Sequence, residues 1–267
     1  MTKVSGQLEK MAHEDGIPIN YSLVLDEALT PITPQVGKKV TLKYLGKIAC
    51  IECETKIKKT YADGYCYPCF RDLPENDPCL LKPELCVHEF GDETDRKYFQ
   101  KYCKIEHFVY LSLTSGVKVG VTRHFNIPSR WIDQGAVKGL IIARTPQRKF
   151  AGQIEVALAK HMADKTNWRK MLNGDIVAAD LEEFREKALG WAPPEMKEYL
   201  VRNESLQELS YPIKEHPVKV SSHNLEKEPE LSGVLTGIKG QYLMFGNKVI
   251  NLRKYTGYFV EFTFDDA

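Results

Sequence analysis

Apolar positions recur at every second residue in YSLVL (Tyr21, Leu23, Leu25) and in KVTLKYL (Val40, Leu42, Tyr44), the period of a strand that turns one face to a core. The last stretch of the chain repeats this pattern. SGVLTGIKGQYLMF, a Gly246-Asn247 turn, KVINL and YFVEFTF follow one another there, the last placing Tyr258, Val260, Phe262 and Phe264 on one face. They predict a small antiparallel sheet or barrel, closed by strands from both termini. Between the termini the pattern is mixed. FVYLSL (108 to 113) and VKVGVT (117 to 122) predict a hairpin over Thr114-Ser115-Gly116. Pro128 opens a short helix through Trp131 that Gly135 stops, and KGLIIART supplies a third strand. Residues 149 to 164, KFAGQIEVALAKHMAD, then predict a helix whose inner face carries Ala151, Glu155, Leu158 and Met162. Trp168, Met171, Leu172 and Ile176 lead into LEEFREKAL, the Pro193-Pro194 step breaks the run, and EMKEYLVRNESLQEL predicts a further amphipathic helix.

These elements define an α+β protein. The predicted parts are N-terminal strands over 1–49, a cysteine-rich segment over 50–106, a mixed module over 107–175, a helical segment over 176–206, and C-terminal strands over 207–267. The 267 residues, 43% hydrophobic and 27% charged, suffice for two or three modules with cores of their own. No apolar run approaches the roughly 18 residues of a membrane helix, and the start MTKVSGQLEKMAHEDG has no signal-peptide pattern. The expected location is the cytoplasm, away from membranes. A formal charge of only +1 means that any attraction to nucleic acid must come from a local patch.

All seven cysteines lie between residues 50 and 103, and such crowding in a reducing compartment points to metal ligation rather than disulfides. CIEC (Cys50, Cys53) and CYPC (Cys66, Cys69) are two knuckles at zinc-ribbon spacing, each able to give two thiolates to one ion. That site is closed and structural. Beyond it Cys79, Cys86 and Cys103, with His88 or His107 as the fourth ligand, predict a second tetrahedral zinc site at looser spacing. Zinc would thus stand in for a core that this segment lacks.

Tyr110, Lys118, Arg123, Arg130 and Trp131 follow directly. A carboxylate such as Glu155 in an apolar row needs a partner or a cation, and Tyr110, Lys118 and Arg130 are the nearest candidates. The order strand, strand, helix, strand, helix, with VYL at 109–111 and KVG at 118–120, an Arg in the first helix and a Glu in the second, resembles the GIY-YIG nuclease superfamily. With the cysteine knuckles, RWIDQGA, DKTNWRKML and GIKGQYL, the whole chain also resembles a bacterial family of unknown function with zinc-knuckle and GIY-YIG-like segments.

The resemblance implies a ββαβα domain and a divalent-metal-dependent endonuclease. Tyr110 would serve as general base or position the nucleophile, Arg130 would neutralise phosphate charge, Glu155 would hold one Mg or Mn ion, and Asn167 would close the site. Lys118 stands where the superfamily often has a tyrosine, and offers a positive charge in its place. Arg123, Arg144, Arg148 and Lys149 form the expected phosphate-contacting patch. The residues alone also allow an Arg130–Glu155 ion pair without metal and a helix-capping Asn167. Three classes follow: a phosphodiesterase acting on DNA or RNA, a non-catalytic nucleic-acid-binding platform, and a zinc-stapled assembly protein.

Overall fold

The computed structural model describes residues 1–162 and 166–265. The chain is mixed α+β and divides into two compact units: Met1–Asp72 with Leu172–Gly174 and Ser210–Ala267, and Leu73–Met171 with Asp175–Leu209.

In the first unit the largest sheet runs Thr2–Gln7, Tyr258–Phe264, Lys39–Ala49, Glu230–Val234, all antiparallel. Tyr258, Val260, Phe262 and Phe264 are buried and alternate with half-buried residues, as a period of two requires. Two smaller sheets accompany it. One contains Gly237–Lys239, Tyr242–Phe245, Lys248–Asn251 and Ser221–Ser222; the other contains Ala12–Glu14, Asn20–Leu25 and Ala28–Pro31. None closes into the barrel that the terminal strands allowed. Thr2–Gln7 and Glu230–Val234 lie at opposite ends of the strand order and do not pair.

The second unit is built on a sheet in the order Gln207–Glu208, Lys138–Thr145, His107–Leu113, Val117–Arg123. His107–Leu113 is central and buried along its whole length. Tyr110 pairs with Gly120 and Ser112 with Lys118, so Tyr110 and Lys118 share one face. Trp131, from the short helix Ser129–Asp133, covers that face: its ring lies against Gly139 and stands edge-on to Tyr110 at 5.9 Å. Gly135 ends this helix at φ 69°.

The opposite face, with Val109, Leu111, Leu113, Val119, Leu140 and Ile142, packs against the helix Arg148–Ala159. The buried row of this helix is Ala151, Ile154 and Leu158, which corrects the expected inner face. Ile154 takes the central place because it is apolar and one turn from Ala151, and Glu155 lies one position round, at the margin. The helix also stops at Ala159, short of the expected residue 164, with residues 160–162 in a turn, so Met162 is not on its inner face; residues 163–164 fall outside the described residues.

Asp180 caps the helix Leu181–Trp191 through the Glu182 and Glu183 amides. A helix resuming after Pro193-Pro194 does not form. Pro194–Tyr199 makes a 3-10 turn, and the chain then runs extended, with the Val201 amide donating to the Ile142 carbonyl at 3.0 Å. Bonding to the sheet edge satisfies backbone groups that a helix would otherwise have to satisfy internally.

Candidate functional site

The first cysteine set forms where Lys39–Ala49 turns into a short arm, Lys56–Ile57, that pairs back on it, and where the helix Tyr67–Asp72 begins. The ligand atoms of Cys50, Cys53, Cys66 and Cys69 lie within 4.8 Å of one another. Cys53 Sγ and Cys66 Sγ are 3.7 Å apart, close to the roughly 3.8 Å edge of a tetrahedron with Zn–S bonds of ~2.3 Å. The Cys69 amide donates to Cys66 Sγ at 3.5 Å, which favours thiolate, but burial and the neighbouring Cys53 and Cys50 leave the Cys66 thiol raised. Thr55 holds the Cys53 thiol down at about 6, and the hydrogen bond between the Cys69 and Cys66 side chains pushes the Cys69 thiol up.

The second set gathers Cys79, Cys86 and His88. His88 Nδ1 is 3.6 Å from both Cys79 Sγ and Cys86 Sγ, and 4.0 Å from Cys103 Sγ. All four residues are buried. His88 Nε2 looks the other way, toward the carboxylates of Asp95 at 3.7 Å and Asp77 at 3.9 Å, beyond hydrogen-bond distance of either. His107 is no part of this set: its Nδ1 meets the Ile105 carbonyl at 2.8 Å, and burial lowers the imidazole to about 4. Both groups could hold a metal ion, and their soft donors fit zinc.

Arg148 has a different place from the one its sequence position suggested. It is only 7% exposed, and its guanidinium lies 4.0 Å from Cys79 Sγ and 4.0 Å from Cys103 Sγ. With Cys103 as fourth ligand, three thiolates and one neutral imidazole would give a bound Zn²⁺ a net charge of −1, which this buried cation would offset. Two further members of the expected basic patch are also engaged. Arg123 donates to the Tyr98 hydroxyl at 3.1 Å and stacks over Tyr102, and Arg144 pairs with Glu204 at 2.6 Å and Glu106 at 3.5 Å. Lys149 is half-buried.

Around Tyr110 the structure brings together most of the polar residues singled out in the sequence. Tyr110 is fully buried, its hydroxyl 3.2 Å from the Gln134 amide nitrogen. Burial raises its pKa, and the Arg130 charge pulls it back. Lys118 is lowered to about 8 by burial and by Arg130, with Glu155 acting in the opposite sense. Glu155 is raised to about 7, chiefly by burial; Arg130 and Lys118 hold it down while Glu84 pushes it further up. Tyr110, Lys118, Arg130 and Glu155 thus act on one another electrostatically, although the helix of Glu155 packs on the far face of the sheet. Asn167 is used otherwise: its Oδ1 accepts from the Lys170 amide at 3.2 Å and its amide donates to Ser115 Oγ at 2.9 Å, so it caps the helix Trp168–Asn173.

Two participants escaped the sequence reading. Gln134 lies in RWIDQGA, where it looked like a helix end. Glu84 is brought near Glu155 because the turn Pro83–Leu85 lies directly on the long helix: a Cβ at Gly152 would fall 2.4 Å from the Glu84 amide. A glycine inside a helical pattern was the available signal of such a close approach.

A family model described as Protein of unknown function (DUF2797) matches residues 37–260. The chain belongs to the DUF2797 family. No curated protein and no solved structure matches it. The matched span of this DUF2797 member includes both cysteine sets and the Tyr110–Glu155 group, and excludes the strand Thr2–Gln7. Among the described residues no helix is long and apolar enough to cross a membrane.

Proposed function

We propose that this DUF2797 protein acts on nucleic acid, with a GIY-YIG-like phosphodiester-hydrolysing centre at Lys118, Arg130 and Glu155 and with zinc in a structural role. The observation that carries this reading is that Lys118, Arg130 and the half-buried Glu155 act on one another electrostatically, Glu155 from the helix on the other face, at a sheet whose elements follow the order strand, strand, helix, strand, helix. Burying three charged groups so near one another costs more than packing alone requires, and perturbed groups gather where chemistry is done. Arg130 and Lys118 would take the phosphate oxygens, and Glu155, with Glu84 beside it, would hold one Mg²⁺ or Mn²⁺ that polarises the phosphate and a water. Tyr110 departs from the role the resemblance implies. With its hydroxyl sealed under the sheet face and bonded to Gln134, it positions its neighbours and does not meet the substrate.

The same burial favours a second reading, a nucleic-acid-binding platform without cleavage, because the superfamily's phenol has no path to a phosphodiester. Incubation of the zinc-loaded protein with end-labelled DNA and RNA, with and without manganese, separates the two. Hydrolysis is expected with manganese and is expected to vanish in Glu155→Ala with the circular dichroism spectrum unchanged. Binding at Arg130 with no cleavage in any metal would leave the platform.

A further inference from the structure

The helix Arg148–Ala159 has a second stripe besides the one that packs on the sheet. Arg148, Gly152 and Glu155, spaced four and three residues apart, lie along it, and each meets the segment that carries the second cysteine group. Arg148 reaches Cys79 and Cys103. Gly152 receives the turn Pro83–Leu85, where an added Cβ would meet the Glu84 amide and lie 2.8 Å from the Pro83 carbonyl carbon. Glu155 feels the charge of Glu84. The turn is tied to the ligands on both sides: Cys79 precedes it, and the Cys86 amide donates to the Pro83 carbonyl at 3.1 Å. Residues 79–90 bury little apolar surface of their own. Leu81, Leu85, Val87 and Phe90 are 57–89% exposed, while Cys79, Cys86 and His88 are buried. With its large apolar side chains in water and its soft donors inside, this segment depends on an ion at those donors to hold its shape.

We propose that the second cysteine group is the positioning device of the divalent-cation seat: with Cys79, Cys86, His88 and Cys103 drawn onto one zinc ion, Pro83–Leu85 is pressed into the notch at Gly152 and Glu84 is delivered beside Glu155, so that loading of the soft site controls affinity at the hard one. The inference rests on the reading of Glu155 as a cation ligand. Two half-buried carboxylates side by side repel, and a divalent cation between them turns that repulsion into shared coordination. With zinc gone the turn loses its anchor, Glu84 withdraws, and Glu155 is left to Arg130 and Lys118, which compete with a metal ion for it.

Manganese titration of the zinc-loaded full chain, followed by electron paramagnetic resonance, tests this, with zinc content read in parallel. Zinc outcompetes manganese at thiolates, so the manganese signal reports the carboxylate seat. Glu84→Gln should weaken manganese binding about 10-fold or more. Gly152→Ala leaves every charge and every metal donor in place and favours the helix, yet its Cβ lifts the turn away. It should keep zinc at both cysteine groups and lose manganese affinity by the same factor. In the Glu84→Gln background Gly152→Ala should change affinity by less than about 2-fold, because both act through one carboxylate. Coupling is reciprocal, so saturating manganese should tighten the parent's hold on one of its zinc ions against a chelator by the factor through which that zinc tightens manganese. Manganese affinity unchanged by either substitution with zinc retained, losses that multiply in the double variant, or zinc affinity indifferent to manganese would each overturn the inference and leave the Glu155 seat standing. A zinc-loaded parent that binds no manganese would overturn that seat and the inference with it. Coupled manganese binding without hydrolysis of any nucleic acid would refute the hydrolase alone and support the inference.

Discussion

Gly120, the last residue of the KVG triplet, can be tested as a packing element. An ideal Cβ at this position would lie 2.5 Å from Tyr110 Oη, 2.6 Å from Cζ and 3.0 Å from Cε2, whereas non-bonded carbon atoms settle at about 3.5–4.0 Å. In Gly120→Ala the ring must therefore withdraw by roughly 1 Å. It has little room, because Trp131 stands edge-on against it, and Trp131 itself is pressed onto Gly139, where a Cβ would lie 2.3 Å from Cδ2. Overpacking of a tight core costs about 1–3 kcal/mol, and a strained Tyr110–Gln134 contact adds about 1 kcal/mol. The lower chain entropy of alanine offsets about 0.4–1 kcal/mol of this. The expected net loss is ~2 kcal/mol.

Urea denaturation followed by tryptophan fluorescence reads it directly, since Trp131, Trp168 and Trp191 all belong to the Leu73–Leu209 unit. Gly116→Ala, where nothing lies within 4 Å of the added carbon, should stay within about 0.5 kcal/mol of the parent. In a Tyr110→Val background the ring is gone, and Gly120→Ala should cost less than about 0.5 kcal/mol. Equal losses in both backgrounds would refute the steric account and return Gly120 to consideration as a residue kept for ligand approach.

The purified chain should carry close to two zinc ions, and elemental analysis should show the loss of one in Cys50→Ser and of the other in Cys86→Ser; fewer than about 0.8 per chain in the parent would remove the ribbon reading. Arg148→Met should destabilise the Leu73–Leu209 unit by about 3–5 kcal/mol and lower zinc retention at Cys79, Cys86, His88 and Cys103, because the thiolate charge loses its buried counter-ion; unchanged denaturation and zinc content would place Arg148 outside that site's energetics. Glu155 keeps its proton in the folded state up to about 7, against an ordinary value of 4.5. The folded state thus binds more protons between these pH values, and its stability falls as pH rises through them. Without divalent cations, the stability of Glu155→Gln relative to the parent should therefore be greater at pH 8 than at pH 5, and a gap independent of pH would contradict the burial of this carboxyl.

Much of this architecture was legible because it follows short-range rules. The period of two in YFVEFTF gave its buried face, the apolar runs on either side of Thr114-Ser115-Gly116 gave the hairpin, and two CxxC knuckles gave the first metal group. The failures have physical causes too. Asp26 and Glu27 turn the Asn20–Leu25 strand into Ala28–Pro31 at φ 47° and 67°, a two-residue hairpin turn that no glycine marks in the sequence. Residues 200–206 follow a helical pattern, yet the free edge of Lys138–Thr145 draws the segment into an extended path. Arg148 looked like a surface cation because a sequence shows charge and not depth, and only the arrival of Cys79 and Cys103 around it reveals a counter-ion. The choice between His88 and His107 was likewise beyond spacing: both lie near the thiols along the chain, and one turns its ring toward a backbone carbonyl.

The strand order of the first unit also sets a timetable for synthesis. Tyr258–Phe264 lies between Thr2–Gln7 and Lys39–Ala49, with Thr2 opposite Phe264 and Leu42 opposite Phe262. On the ribosome the two early strands emerge without the strand that joins them, and about 200 further residues at ~5–20 per second leave them waiting some 10–40 seconds. The second unit has all its segments available before then. During that interval Val40 and Leu42 lie on an unpaired edge, which invites pairing with a neighbouring nascent chain on the same message. The final strand thus works as a latch, and the rate at which it arrives governs how long a cell's chaperones must shield the beginning of the chain.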